Sequence, residues 1–207
     1  MDNYQKALIY ARELFLKWDQ EKIISRYRLR ADDEYIYISF LGFPYRIERS
    51  SGIVECIEND PREADFSESL SIYDYLCREN PIPGLSGRLL HVNSLRNAAK
   101  SSPSDTSFHQ KWANKYQDHL DALQQAVGEM GVASFPQGDI ACMFSVCDGF
   151  TAVFQFWEGD DEFPPSVRFL WDENTPDYLK YETTYYVMGC FLNFLDQKIA
   201  AIERNCK

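Results

Sequence analysis

The sequence predicts an α+β fold in which a mainly antiparallel sheet of about six strands packs against about four helices. Three observations lead to this prediction. Runs rich in aromatic and β-branched residues cluster in two regions, one near the N-terminus and one after residue 138. The connections within each region are short and contain the turn residues typical of antiparallel strands. Stretches with helical spacing of apolar residues lie before, between and after the two regions.

The N-terminal part predicts one helix followed by a strand meander. Apolar residues at steps of three and four indicate a helix within residues 1–30, whose expected buried stripe is Tyr4, Ala7, Ala11, Leu14 and Trp18. Two β-prone runs follow at 35–40 and 43–49, and a Ser-Ser-Gly turn leads into a third run at 53–57. This pattern predicts three antiparallel strands.

Two further helices are predicted before the second strand region. Asp65 followed by Glu68 has the spacing of a capping box, which predicts a short helix that ends before the Pro-Ile-Pro-Gly segment at 81–84. A small, polar segment at 97–106 is expected to form a mobile surface loop. Apolar residues from Trp112 to Met130 then keep helical spacing, so a single third helix is predicted.

The second strand region contains three predicted strands, at 139–147, 150–157 and 166–171. Asp148-Gly149 between the first two is a strong signal for a two-residue hairpin turn. The middle run is apolar on both faces, which predicts a central strand that is covered on both sides. Thr175, as the cap before Pro176, begins a fourth helix that is expected to continue nearly to the end of the chain.

Composition and charge restrict the class of protein. The 207 residues are 45% hydrophobic and 26% charged, as in ordinary globular proteins, and no linker divides them, so one domain over residues 1–207 is predicted. Twenty-one basic and thirty-two acidic side chains give a net charge of −11, which disfavours binding to nucleic acid or to anionic membranes. No apolar run approaches the roughly 20 residues of a membrane helix, and no signal peptide is visible.

The cysteines favour a reducing compartment. Six of them are scattered along the chain without a CxxC motif, and none has a histidine at zinc-like spacing. We therefore expect a soluble cytoplasmic protein without an iron–sulfur cluster or a zinc site built from Cys and His.

An acidic run at 159–165, Gly-Asp-Asp-Glu-Phe-Pro-Pro, is the most unusual segment, because adjacent carboxylates repel one another and two prolines restrict the backbone. If Asp148-Gly149 closes a hairpin, Asp139 returns to the sheet end where this run begins. Asp172 and Glu173 then lie at the other end, about 20 Å away at roughly 3.3 Å per residue. The predicted ligand-binding residues are Asp139, Asp160, Asp161, Glu162, Phe163 and Arg88. In an alternative, structural role, Glu162 caps a backbone group or pairs with a basic residue such as Arg88 or Arg168.

This acidic end supports several functional hypotheses. The leading one is a non-catalytic binding or accessory domain that holds a small molecule, a cation or a partner protein. The alternative is a hydrolase-like enzyme in which one carboxylate with a raised pKa acts as a general base. In either case a divalent cation would be bound by the four carboxylates Asp139, Asp160, Asp161 and Glu162. A solvated acidic turn without a function is the commonest interpretation of such charge runs in general.

Several segments of the chain resemble domain-of-unknown-function family 3786. The resemblance rests on residues 138–166, on Phe-Leu-Trp-Asp at 169–172 with Asp-Tyr-Leu at 177–179, and on the earlier segments 72–76 and 83–88. It covers the chain from about residue 35 to 207 and implies a prokaryotic cytoplasmic protein of a kind frequent in anaerobes. Some relatives carry an added Cys-rich iron–sulfur segment, but this chain has no clustered cysteines. The resemblance implies no catalytic residue.

Overall fold

The computed structural model describes residues 3–79, 84–98, 104–131 and 137–205, of which 104–108 are described by their backbone alone. The helices are α1 (Asn3–Lys17), α2 (Gln20–Tyr27), α3 (Phe66–Leu76), α4 (Ser104–Gln117), α5 (Leu120–Met130), α6 (Thr175–Tyr178) and α7 (Tyr181–Asn205), with a 3₁₀ turn at Val92–Ser94. The strands are β1 (Arg30–Ala31), β2 (Tyr35–Phe40), β3 (Phe43–Glu48), β4 (Val54–Cys56), β5 (Arg62–Glu63), β6 (Leu89–His91), β7 (Ile140–Cys147), β8 (Phe150–Trp157) and β9 (Ser166–Asp172).

These strands form an antiparallel sheet in the order β5-β4-β3-β2-β7-β8-β9-β6, with β1 paired to β2 outside this path. One edge of β2 pairs with β3, so β1 and β7 share its other edge. The contact between β2 and β7 is short: Phe40 pairs with Cys147, and the N–H of Leu41 donates to the carbonyl of Val146 at 3.0 Å. The N-terminal meander and the C-terminal strands thus meet at one small junction.

The hydrophobic core lies between the sheet and α7. Phe154 of β8 and Phe169 of β9 contact Phe191 of this helix, with ring centroids 5.3 and 5.8 Å apart. One turn further along, Phe194 contacts Phe43 of β3 at 4.7 Å. Because α7 contacts both groups of strands, it connects the two halves of the sheet.

The main strand predictions are confirmed. The meander forms β2, β3 and β4, and Asp148-Gly149 is the turn between β7 and β8, with Gly149 at a φ of 78°. β8 is central and buried on both faces, since Val153 and its neighbour Phe154 are both 0% exposed. The predicted number of about six strands is too low. The additional strands β1, β5 and β6 have two or three residues each, too few to show a periodic pattern.

The helix predictions are right in type but wrong in number, since the described residues form seven α-helices. The predicted third helix is divided into α4 and α5. At the break, the N–H of His119 donates to the carbonyl of Tyr116, three residues earlier, at 2.9 Å, which is a tighter turn than that of an α-helix. The predicted fourth helix is divided into α6 and α7 at Leu179, whose backbone is extended. The prediction of Thr175 as the N-cap is wrong, because Asn174 is the N-cap and Thr175 is the first residue of α6. None of the described helices is long and apolar enough to cross a membrane.

The buried face of α1 differs from the predicted stripe. Phe15 is fully buried and Leu8 is partly buried against the core, whereas Tyr4 and Leu14 are 64% and 37% exposed. The packed residues are Leu8, Ala11, Phe15 and Trp18. Of the predicted polar loop at 97–106, residues 99–103 lie outside the described residues and 104–106 belong to α4. Most of the Pro-Ile-Pro-Gly segment also lies outside them.

Candidate functional site

The sheet end where β8 stops and β9 begins carries the predicted acidic residues. The backbone N–H of Asp139 donates to the carbonyl of Phe156 at 2.9 Å, and its carboxylate accepts the N–H of Glu158 at 2.8 Å. Both bonds depend on the antiparallel pairing of β7 with β8. Asp139 therefore lies beside the start of the acidic run, as the hairpin prediction requires.

Residues 159–165, here called the acidic–aromatic loop, have a backbone fixed from within. The carboxylate of Asp160 accepts the N–H groups of Phe163 at 2.7 Å and of Glu162 at 2.8 Å. The N–H of Asp160 in turn donates to the carbonyl of Phe163 at 2.9 Å. The two bonds to the carboxylate, that from Phe163 foremost, hold the pKa of Asp160 below its usual range because they stabilise the charged form. Asp160 is thus a turn-forming residue.

Two glutamines of α4 fix the same loop from outside. Gln117 accepts the N–H of Gly159 at 2.6 Å, and Gln110 donates to the carbonyl of Pro165 at 2.9 Å. A Cβ atom at Gly159 would lie 2.6 Å from Cδ of Pro165, so this position requires glycine. Sequence reasoning missed both glutamines, because they lie 42 and 55 residues from their partners and belong to no recognisable motif.

Residues 160–164 of the acidic–aromatic loop are all exposed, and the exposed fraction of Phe163 is 67%. The four predicted carboxylates share one sheet end, but those of Asp139 and Asp160 bind backbone N–H groups. No group of three or more His, Cys, Asp or Glu side chains is arranged to hold a metal ion in the part of the chain that the structure describes.

Arg88 does not belong to this end of the sheet. It precedes β6, which pairs with the far end of β9, and its guanidinium contacts the carboxylate of Glu173 at 3.2 Å. The predicted contact of Arg88 with Glu162 is therefore wrong, because the register of β6 on β9 separates them by nearly the length of a strand. The other predicted partner, Arg168, places its guanidinium 4.9 Å from the ring centre of Trp157.

At the opposite sheet end, a buried carboxylate holds a loop. Asp172 is 2% exposed and accepts the N–H groups of Gly87 at 2.8 Å, Asn174 at 2.9 Å and Ser86 at 3.1 Å. The hydroxyl of Ser86 also lies 3.2 Å from both carboxylate oxygens. Gly87 has a φ of 80°, which glycine adopts without strain. The glycine-containing segment 84–88 is therefore a turn fixed to β9.

Glu68 is a second buried carboxylate, at the start of α3. It completes the predicted capping box with Asp65, whose N–H it accepts at 2.6 Å. It also accepts the hydroxyl of Tyr45 at 2.7 Å and the guanidinium of Arg62 at 2.6 and 2.8 Å. Burial raises the pKa of Glu68, but the hydrogen bonds from Arg62 and Tyr45 lower it by more. The net effect is a pKa below the usual value, so the group stays charged. A carboxylate surrounded by donors in this way is a structural anchor and a poor general base.

One comparison with known proteins gives a match. The family model described as Domain of unknown function (DUF3786) matches residues 19–194. No curated protein and no solved structure matches the chain. The matched region includes the whole sheet and the acidic–aromatic loop, whereas α1 precedes it. Because this match covers most of the chain, the protein belongs to the family of the domain of unknown function DUF3786.

Proposed function

We propose that the protein is a non-catalytic binding domain that holds a partner protein through the acidic–aromatic loop. The observation that carries this proposal is the 67% exposure of Phe163 on a loop whose backbone is fixed. Burying a phenylalanine ring contributes about 1.5–3 kcal/mol. Because the ring of Phe163 is exposed in the free protein, a partner that covers it would gain this contribution. A fixed backbone loses little conformational entropy on binding. Aromatic anchors of this kind supply much of the affinity in protein interfaces.

The charge around the ring selects the partner. Asp161 and Glu162, next to Phe163 in the sequence, are exposed, as are Glu158 and Asp139 where the loop begins, and the whole chain carries a net charge of −11. Such a field accelerates association with a basic surface and repels an acidic one. We therefore expect a basic segment with an apolar pocket or side chain that receives Phe163.

A protein partner fits the loop better than the other ligands considered. A small molecule needs an enclosing pocket, whereas the ring of Phe163 at this loop is 67% exposed. A divalent cation needs converging ligands, and the described residues contain no group of three or more His, Cys, Asp or Glu side chains that could hold one. The cation hypothesis has its own test: adding Mg²⁺, Ca²⁺ or Mn²⁺ should leave the melting temperature unchanged. A cation bound at a hundred times its Kd would add about 2.7 kcal/mol of stability, which such a measurement detects.

A peptide-display selection tests the main proposal. Peptides selected on the full-length protein should be basic, and Phe163→Ala should weaken their binding by about 30-fold, since hot-spot truncations cost about 2 kcal/mol or more. Tyr10→Ala is the matched control, because Tyr10 is also 67% exposed but lies on α1. It should leave binding unchanged.

Two results would overturn the assignment of this loop. One is a set of selected peptides without basic character. The other is equal binding by the wild type and the Phe163→Ala variant. Because the ring of Phe163 is exposed, its removal should change the unfolding free energy by no more than about 0.5 kcal/mol, so a loss of binding would not reflect misfolding.

The cellular setting and domain organisation are part of the same proposal. The described cysteines Cys56, Cys77, Cys142, Cys147 and Cys190 are free, which supports a reducing cytoplasm, as the family resemblance implies for a prokaryotic cell. The net charge of −11 argues against nucleic acid as the partner. One domain over the whole chain remains the expected organisation, with α1 as an N-terminal addition to the family region.

A further inference from the structure

Basic residues are concentrated where α2 leads into β1. The sequence 26–30 is Arg-Tyr-Arg-Leu-Arg, so three arginines occur within five residues of a chain whose net charge is −11. Arg28 ends α2 with a left-handed conformation, φ 53°, and its N–H donates to the carbonyl groups of Ile24 and Ser25. Arg30 is the first residue of β1 and pairs with Tyr37 of β2. The backbone at both arginines is therefore fixed by hydrogen bonds.

Arg28 and Arg30 line the same surface depression, here called the arginine groove. It has a volume of about 430 Å³, within the 300–1,000 Å³ typical of small-molecule sites. Its polar lining includes Arg28, Arg30, Tyr37, Ser39 and Asp148. Its apolar lining includes Leu29, Pro44 and Ile57. The groove lies at the hairpin-turn end of β8, opposite the acidic–aromatic loop, and is independent of it.

The two arginines of the groove differ from most arginines of the protein. Arg46, for example, contacts Glu55 at 2.7 Å, and Arg88 contacts Glu173 at 3.2 Å. Arg28 and Arg30 are exposed, and in the described ranges neither has a carboxylate oxygen within 4.0 Å. Two arginines that form no close ion pair in one depression favour an anion there.

Arg30 is also oriented in advance. Its guanidinium lies 3.7 Å from the ring centre of Tyr37, whose hydroxyl donates to the carboxylate of Asp32 at 2.8 Å. Stacking occupies one face of the planar guanidinium and leaves its N–H edge for an acceptor. Asp32 binds the hydroxyl at the tip of this ring, and Asp148 lines the groove itself, so these two carboxylates limit the negative charge that a ligand can carry. These contacts favour a compact anion over a polyanion.

We propose that the arginine groove binds an organic phosphate monoester. Guanidinium groups bind phosphate through paired, charge-assisted hydrogen bonds, and two of them in one groove match a single phosphate group. The apolar wall of Leu29, Pro44 and Ile57 accommodates the organic body of the ligand. A volume of about 430 Å³ is suited to a molecule of the size of a nucleoside monophosphate.

Isothermal titration calorimetry of the full chain at low salt tests this proposal with AMP, adenosine and inorganic phosphate as probes. AMP should bind more tightly than either of its parts, and binding should weaken as NaCl is added. Arg28→Gln and Arg30→Gln should each weaken AMP binding by about tenfold or more, the loss expected for a charge-assisted hydrogen bond. Arg30→Lys keeps the charge without the planar fork and should give an intermediate affinity.

Arg168→Gln is the matched control, because Arg168 is also exposed and placed over an aromatic ring but lies on β9. It should bind AMP like the wild type. The proposal is wrong if AMP does not bind, if adenosine binds as tightly as AMP, or if Arg168→Gln weakens AMP binding as much as Arg30→Gln does. The unfolding midpoint of each variant establishes whether it is folded. If Arg28→Gln does not fold, the affinities of Arg30→Gln and Arg30→Lys for AMP still test the groove.

Discussion

Glu68 and Glu55 both pair with an arginine, but their burial differs. Glu68 is 1% exposed and bonds to Arg62 and Tyr45, whereas Glu55 and its partner Arg46 are each 29% exposed. We expect Glu68→Gln to lower the unfolding free energy by about 2 kcal/mol, because it leaves buried donors poorly satisfied. The control Glu55→Gln should cost less than about 1 kcal/mol, as for other solvent-screened pairs. Urea denaturation measures both, and equal costs would contradict the structural role of Glu68.

The charge of Glu68 also makes stability depend on pH. Its pKa in the folded protein is lowered, since the bonds from Arg62 and Tyr45 outweigh burial. The unfolded chain therefore takes up this proton at a higher pH than the folded chain. The stabilisation is complete above the ordinary glutamate pKa of about 4.3 and is lost as the pH falls through the lower, folded value.

The wild type should accordingly exceed Glu68→Gln in unfolding free energy by a constant amount between about pH 5 and pH 7. The difference should shrink below about pH 4. Urea denaturation of both proteins over this range provides the measurement. A difference that persisted undiminished at the acidic end would show that the charge of Glu68 is not its source.

Local sequence predicts some residue positions and not others. The position of Asp139 beside the acidic run follows from a two-residue turn, because Asp148-Gly149 determines which residues of β7 and β8 meet. The burial of Asp172 depends on donors at Ser86 and Gly87, which are 86 and 85 residues away along the chain. Its sequence context resembles that of an exposed carboxylate, so sequence reasoning could not identify it as a loop anchor.

Among the elements, α1 has a buried face that differs from the predicted one. Phe15 is 0% exposed and its ring lies 5.6 Å from that of Tyr73 on α3, whereas Leu14 is 37% exposed. Phe15→Ala should lower the unfolding free energy by about 3 kcal/mol or more, the cost of a large cavity. Leu14→Ala should cost less than about 1 kcal/mol. Thermal or urea unfolding of the two variants decides between the faces, and a larger loss for Leu14→Ala would restore the predicted stripe.

The helix errors share one physical cause. The stripe through Tyr4, Ala7 and Leu14 and the stripe through Leu8 and Phe15 both have helical spacing, and both contact α3, since Tyr4 meets Phe66 and Phe15 meets Tyr73. Only the tertiary packing, which buries Phe15 completely, distinguishes the two. The breaks between α4 and α5 and between α6 and α7 contain neither glycine nor proline, and apolar spacing continues across them. By contrast, the β7–β8 turn contains a glycine at positive φ and is visible in the sequence.

For the whole molecule, the sequence predicts two groups of strands but not how they join. The β2–β7 junction rests on Phe40 paired with Cys147, so the sheet itself connects the halves weakly. Aromatic contacts with the helices add to it. The ring of Phe194 on α7 lies 4.7 Å from Phe43 in the meander, and Tyr75 on α3 stacks with Phe150 of β8 at 6.2 Å. Such long-range contacts carry no local signal.

These contacts predict that the two halves of the sheet unfold together. In native-state hydrogen exchange, the slowest amides of β2 and of β8 should have the same free energy of opening. Phe194→Ala removes the contact between α7 and β3 and should lower both values by the same amount, about 2 kcal/mol, because the ring is partly buried. The exposed control Tyr10→Ala should leave both unchanged. If Phe194→Ala lowered the value for β2 alone, the meander would be a separate cooperative unit, since only the half that had lost the contact would open more easily.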